Sequence, residues 1–109
     1  MRNIMENLKI LLCCGAGMSS GFLATSSRKY AKKKKLPVSV EARSYSEAPE
    51  LLPDFDVLLL GPHYAKEADN FKKEGASYNV AVGVIPEAIY GSLDGPALVE
   101  YARKLKGIA

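Results

Sequence analysis

The sequence predicts an α/β fold in which one parallel sheet carries helices on both faces. Short apolar runs recur four times, at residues 8–14, 38–43, 56–60 and 79–85. Each is followed by apolar residues at helical spacing or by a short helical turn, and Gly or Pro marks most of the junctions. Such alternation builds a parallel sheet, because right-handed crossovers return each strand alongside an earlier one in the same direction. The 109 residues suffice for one domain. Residues 1–7 are charged and polar and are expected to be a flexible N-terminus, with the domain spanning residues 8–109.

The first run, residues 8–14, is almost wholly apolar, as a central parallel strand buried on both faces should be. A helix is expected from about Ser20 to Lys34, capped by Ser19 or Ser20, with Phe22, Leu23, Ser26 and Tyr30 as its buried stripe. Pro37 ends it and pushes Leu36 to extended geometry. Val38, Val40 and Ala42 alternate with Ser39, Glu41 and Arg43, which reads as a strand with one wetter face, at an edge of the sheet. Ser46 is placed to cap a short helical turn from Glu47 to Leu52, broken at Pro53. Residues 56–60 form a third buried strand. Gly61-Pro62 turns the chain into a helix with Tyr64, Ala68 and Phe71 as its buried stripe and Gly75 just past its end. A fourth strand covers residues 79–85, and residues 86–90 form a short helical turn. Asp94 caps the last helix, Pro96 fits its first turn, and Leu98, Tyr101, Ala102 and Leu105 make its core stripe.

Composition narrows the function. The apolar share of 48% and charged share of 25% fit a globular chain and not a disordered one. No apolar run approaches the ~20 residues of a membrane helix, and no secretory signal is visible. Two adjacent cysteines form neither a disulfide framework nor a zinc or redox pair, so a reducing cytoplasm is the natural setting. The net charge of +3 owes much to Arg28, Lys29 and the run Lys32, Lys33, Lys34, Lys35. No aromatic residues interleave that run to stack on bases, so nucleic acid is disfavoured against the solvated end of a helix; an acidic protein partner is a third reading.

The stretch with chemistry in it is Ile10-Leu11-Leu12-Cys13-Cys14-Gly15-Ala16-Gly17-Met18-Ser19-Ser20-Gly21. A strand ends on a cysteine, a loop of small residues follows, and a helix begins. Gly lets successive N–H groups turn to one concave side, and the helix start adds unpaired N–H groups and positive dipole charge. The same field favours thiolate, pulling a cysteine there below its free pKa of about 8.5. A nucleophile with its own anion cradle is the functional reading; a buried core cysteine before a tight turn is the bland one. Ser19 and Ser20 can donate to phosphate oxygens or merely cap the helix. Cys13, one residue earlier in an extended strand, points to the opposite face and reads as core.

Cys14-Gly15-Ala16-Gly17-Met18-Ser19-Ser20 resembles the active-site loop of the enzyme IIB component of the bacterial sugar phosphotransferase system, lactose/cellobiose/diacetylchitobiose family. The segments 56–62 and 89–95 resemble later blocks of the same family, so the similarity runs from about Leu8 to near the end of the chain. The resemblance implies a flavodoxin/Rossmann-like fold with strand order 2-1-3-4 and a phosphate-binding loop after strand 1. It implies that Cys14 is the phosphorylated cysteine, with Gly15, Ala16, Gly17, Met18, Ser19 and Ser20 binding phosphate. It implies a cytoplasmic phosphocarrier, a monomer that takes a phosphoryl group from phosphohistidine of enzyme IIA and passes it to a sugar in membrane enzyme IIC. A disaccharide of the lactose, cellobiose or chitobiose type is the implied sugar, and neither metal nor diffusible cofactor is implied.

In that strand order the open-sheet rule sets the site at the switch point between strands 1 and 3, which brings Gly61, Pro62, His63 and Tyr64 towards the thiol. His63 reads as a Cys–His base, as a residue lining the site, or as a polar strand end with no role; the family carries Gln at this place. Tyr64 reads equally as core or site. Pro86-Glu87 is a second departure, with Glu87 the candidate for an acidic residue the family carries after the strand. Two alternatives stand beside the carrier. A low-molecular-weight phosphatase or related arsenate reductase needs Cys-x5-Arg for bidentate phosphate contact, but the corresponding residues are Ser20 after Cys14 and Ser19 after Cys13. A phosphate-sensing module of the same fold would keep Cys14 beside phosphate without ever being modified.

Overall fold

The computed structural model describes residues 8–13 and 18–107. Four strands, β1 (Leu8–Cys13), β2 (Val38–Arg43), β3 (Val57–Leu60) and β4 (Ala81–Val84), form one sheet in the order β2-β1-β3-β4, with every neighbouring pair parallel. This is the expected architecture and strand order. The helices are α1 (Met18–Lys33), α2 (Ala48–Leu51), α3 (Ala68–Ala76), α4 (Glu87–Ser92) and α5 (Gly95–Lys106), with 3-10 turns at Tyr45–Glu47, Leu52–Asp54 and Pro62–Glu67.

The strand pleat divides the core in two. Leu8, Ile10 and Leu12 of β1, with Val57 and Leu59 of β3, pack under α1 and α5 against Leu23, Ala24, Leu98 and Ala102. Leu11 and Cys13, with Leu58 and Leu60, pack on the other face against Ala48, Leu52, Ala68 and Phe71. β1 and β3 are central strands with both faces covered, which is why their sequences are continuous apolar runs. β2 is an edge strand, and its alternation survives: Val40 is buried while Ser39 is exposed. Asp56 starts β3 from outside, its carboxylate accepting from the Lys9 amide at 2.8 Å while its own N–H donates to the Lys9 carbonyl at 2.8 Å.

Several expectations need correction. Phe22 is not core; it is 61% exposed. The face of α1 that packs inward is Leu23, Ala24, Ser27 and Ala31, while Ser26 and Tyr30 are half-buried. That face is small because α5 comes very close: a Cβ on Gly95 would stand 2.4 Å from the Ser26 carbonyl carbon. Ser27, fully buried, returns its hydroxyl to the Leu23 carbonyl at 2.8 Å and lies 3.4 Å from the Gly95 carbonyl oxygen. Further along, the Tyr30 hydroxyl donates to Glu100 at 2.9 Å, and that bond is the main cause of a tyrosine pKa raised above its ordinary value. Helix α1 starts at Met18, so Ser19 and Ser20 lie inside its first turn and not before it. It ends with Lys35 in the left-handed region, φ 55°, and the Leu36 N–H on the Ala31 carbonyl.

Ser46 does not cap α2, whose N-cap is Glu47 with no side-chain hydrogen bond; Ser44 organises the turn instead, its hydroxyl accepting from the Ser46 N–H at 3.3 Å. Gly75 lies within α3 and does not follow it. It is required there by proximity, since a Cβ would meet the Val80 carbonyl oxygen at 3.1 Å, and the left-handed turn is made by Asn79. Leu105, 37% exposed, sits at the rim of the α5 face over Gly83, and Val99 joins the buried face of α5. Asp94 does cap α5, accepting from the Ala97 N–H at 3.1 Å.

Candidate functional site

The carboxyl ends of β1, β3 and β4 finish level with one another. Cys13 pairs with Leu60, and Leu60 with Val84. The ladder then continues one step into the loops: the Gly61 N–H donates to the Cys13 carbonyl at 3.0 Å, and the Ile85 N–H to the Leu60 carbonyl at 2.8 Å. The segment that opens on Gly61 is therefore fixed beside the last residue of β1, and the one that opens on Ile85 beside the last residue of β3. Helix α1 runs back from the same edge, and the N–H groups of its first turn, at Met18, Ser19 and Ser20, have no carbonyl within the helix to bond. Cys14, Gly15, Ala16 and Gly17 connect these two ends and lie outside the described residues.

Each later candidate has a definite place. Gly61 is buried and extended, and its carbonyl accepts the Tyr64 N–H at 2.9 Å, closing the Pro62–Glu67 turn. Pro62 sets the first position of that turn, where its missing N–H costs no hydrogen bond. Tyr64 is half-buried and packs against the core that contains Cys13, so its ring serves the packing beneath the edge. His63 points the other way. It is exposed, and its ring meets Tyr90 edge-on, with centroids 5.6 Å apart and planes at 78°. Tyr90 lies in α4, which begins directly after Pro86, so one aromatic contact clasps the loop after β3 to the helix after β4. Glu87 is exposed in the first turn of α4.

Cys13 is fully buried in the α2/α3 core, as the opposite-face argument required. Across from it in register is Arg43, the last residue of β2, held by Glu41 at 2.8 Å and more loosely by Glu47 at 3.8 Å. The Glu41 hydrogen bond is the main reason its pKa is raised above the ordinary arginine value, so it is a permanent cation at this end of the sheet. Sequence reasoning missed Arg43 and Tyr90. The signal for Arg43 was available, because the pairing of the first two strands sets it beside Cys13; Tyr90 follows only from the path of α4. A groove of about 530 Å³ lined by Pro49, Asn70 and Phe71 opens between α2 and α3, on the face away from α1, and belongs to a different part of the surface.

What the described edge offers chemically is the N–H groups at the start of α1, at the same edge of the sheet as the buried Gly61 and the exposed His63, and backbone donors of that kind suit an anionic group.

Comparison with known proteins gives the same direction. Residues 9–100 match the family described as the lactose/cellobiose-specific IIB subunit of the PTS system. The chain is 34% identical over 97 residues to the oligo-beta-mannoside-specific EIIB component of the PTS system of Bacillus subtilis, covering 89% of this chain and 94% of that one. It is 36% identical over 72 residues to the lactose-specific EIICB component of Lactococcus lactis, covering 66% of this chain but only 13% of that longer protein. Among solved structures it is similar to the lactose-specific IIB component domain of the phosphoenolpyruvate:carbohydrate phosphotransferase system from Streptococcus pneumoniae, with a TM-score of 0.80 at 17% identity, covering 89% of this chain and 98% of that one. At that identity the likeness speaks for the fold.

Proposed function

The chain belongs to the lactose/cellobiose-specific IIB family of the phosphotransferase system, and on that premise we propose that Cys14 is the residue that carries the phosphoryl group. The observation that supports this most directly is the Gly61 N–H bound to the Cys13 carbonyl. It fixes the loop after β3 at the last residue before Cys14, at the edge where the first turn of α1 presents N–H groups that have no partner within the helix.

In this reading the Cys14 thiolate attacks the phosphorus of a phosphohistidine on enzyme IIA. The P–S bond forms as the P–N bond breaks, and the imidazole leaves with its electron pair. In the second transfer a hydroxyl of a sugar held by membrane enzyme IIC attacks the same phosphorus. The P–O bond forms as the P–S bond breaks, Cys14 is released as thiolate, and the hydroxyl proton passes to a base on the acceptor side. Backbone N–H groups from Gly15 to Ser20 stabilise the equatorial oxygens in both steps. The sugar is a disaccharide of the lactose, cellobiose or chitobiose type, and the chain works as a cytoplasmic monomer whose domain spans residues 8–109. Phe22, exposed in the second turn of α1, supplies an apolar contact for a protein docking on the loop. Hydrolysis is disfavoured by the missing Cys-x5-Arg.

Intact-protein mass spectrometry tests the assignment. Wild type, Cys14→Ser and Cys13→Ala are incubated with phosphoenolpyruvate, the general phosphotransferase proteins and a matching enzyme IIA. One added phosphoryl group on wild type and Cys13→Ala, and none on Cys14→Ser, is the expected result. Transfer surviving in Cys14→Ser and lost in Cys13→Ala would move the nucleophile to Cys13. No added mass on wild type beside a phosphorylated donor would favour the phosphate-sensing module.

A further inference from the structure

We propose that the corner of the molecule opposite the Cys14 edge, formed by the C-terminal ends of α1 and α5, is a docking surface for anionic phospholipid headgroups. Charge is segregated along this chain. From Asn7 to Val40 there are seven cations (Lys9, Arg28, Lys29, Lys32, Lys33, Lys34, Lys35) and no carboxylate, whereas from Ser44 to Ala65 there are four carboxylates (Glu47, Glu50, Asp54, Asp56) and no Lys or Arg. In the fold six of the seven cations, Arg28 to Lys35, fall in the second half of α1 and the residues that end it, on the side of the sheet covered by α1 and α5, while Lys9 lies on the α2 side, where α3 also carries Lys72 and Lys73.

The cations are concentrated further by the path of the helices. α5 runs beside α1 in the same sense: Ser27 meets Gly95, and further along Tyr30 meets Glu100. The next turn of each therefore sets Lys32 to Lys35 beside Arg103 and Lys104. Lys32, Lys33, Lys34, Lys35 and Lys104 are all exposed, and among the described residues no carboxylate forms an ion pair with them. A helix C-terminus carries only about half a negative charge, so the two dipoles leave most of this charge uncompensated. The Lys106 ammonium binds the Asn79 carbonyl and draws in the turn after α3, whose Tyr78 is 52% exposed. Lysines on flexible stems, with an exposed tyrosine next to the turn that Lys106 holds, fit a fluid anionic surface with an interfacial aromatic. A protein interface selects against lysine and wants a shaped apolar centre, and single-stranded nucleic acid wants stacked aromatics.

The purpose of this surface rests on the phosphocarrier reading, in which the acceptor is in the membrane, but its charge pattern does not. Helix α1 is about 24 Å long, so lipid contact at its basic end leaves its first turn facing away from the membrane and open to a soluble donor. Docking in this pose holds the chain near its acceptor between transfers.

The test is co-sedimentation of the chain with vesicles of phosphatidylcholine alone or mixed with phosphatidylglycerol. Binding is expected only with phosphatidylglycerol, to fall steeply as salt is raised, and to drop at least about tenfold in the K32Q/K33Q/K34Q/K35Q variant. The same variant should accept a phosphoryl group from soluble enzyme IIA as wild type does. Equal binding to neutral vesicles, unchanged binding by the variant, tighter binding to an RNA oligonucleotide than to the vesicles, or salt-sensitive self-association in their place would each overturn the lipid assignment. Normal vesicle binding with no phosphorylation of wild type would instead sink the carrier reading alone.

Discussion

The two faces of the sheet are built to different tolerances. Under α1 and α5 the packing is close enough to exclude side chains: Gly95 lies against the α1 backbone, Gly83 lies under Leu105 and Tyr101, and a serine is fully buried between the helices. The other face is covered by a four-residue helix, three 3-10 turns and the nine-residue α3, and it leaves grooves of about 530 Å³ and 420 Å³. The helix whose first turn opens at the candidate site belongs to the tight face. The loop that brings His63 to the edge enters α3 on the looser one. Helix α1, whose first turn opens at the candidate site, is thus backed by the close-packed face, and the loop that carries His63 leads to the more loosely covered one.

The largest expected effect is Gly95→Ala. The added methyl would lie 2.4 Å from the Ser26 carbonyl carbon and hydroxyl and 2.5 Å from the Ser27 nitrogen, and two of these three are backbone atoms that no side-chain rotation can move away. Separating two long helices to make room should cost about 3 kcal/mol or more in denaturant unfolding. A loss under about 1 kcal/mol would mean that α5 slides freely on α1 and that the tight face is not tight.

Tyr101→Phe should come next. The Tyr101 hydroxyl donates to the Val84 carbonyl at 2.9 Å and ties α5 to the last residue of the edge strand β4. Its loss should cost about 1 kcal/mol, read from the urea midpoint at unchanged slope. Cys13→Ala removes a small buried side chain from the looser core and should cost about the same while leaving phosphoryl uptake intact.

What the sequence revealed follows the range of the interactions concerned. β1 and β3 were legible because a strand buried on both faces writes its burial as a continuous apolar run. The α5 cap was legible because Asp94 and its partner Ala97 are three residues apart. The buried face of α1 was not. Beside Leu23, which the stripe did include, its residues are Ala24, Ser27 and Ala31, small for the approach of Gly95 from 68 residues away from Ser27, and large apolar size drew the stripe onto Phe22 instead. The site divides in the same way. The strand ends and the Gly61-Pro62 turn could be read from local pattern, whereas the meeting of His63 with Tyr90 depends on how α4 leaves β4.

The smallest effect sharpens the comparison most. Gly75→Ala is the counterpart of Gly95→Ala on the looser face. Its added methyl would stand 3.1 Å from the Val80 carbonyl oxygen and 3.3 Å from the end of the Val82 side chain. Those contacts require the neighbours to give by a few tenths of an ångström, a much smaller adjustment than the 2.4 Å approach at Gly95 would demand. Against that cost, alanine within a helix is favoured over glycine by about 1 kcal/mol. The two should nearly cancel, leaving thermal stability within about 0.5 kcal/mol of wild type. A loss as large as that of Gly95→Ala would show that both faces are packed to the same tolerance and would remove the distinction between a rigid side and an adaptable one.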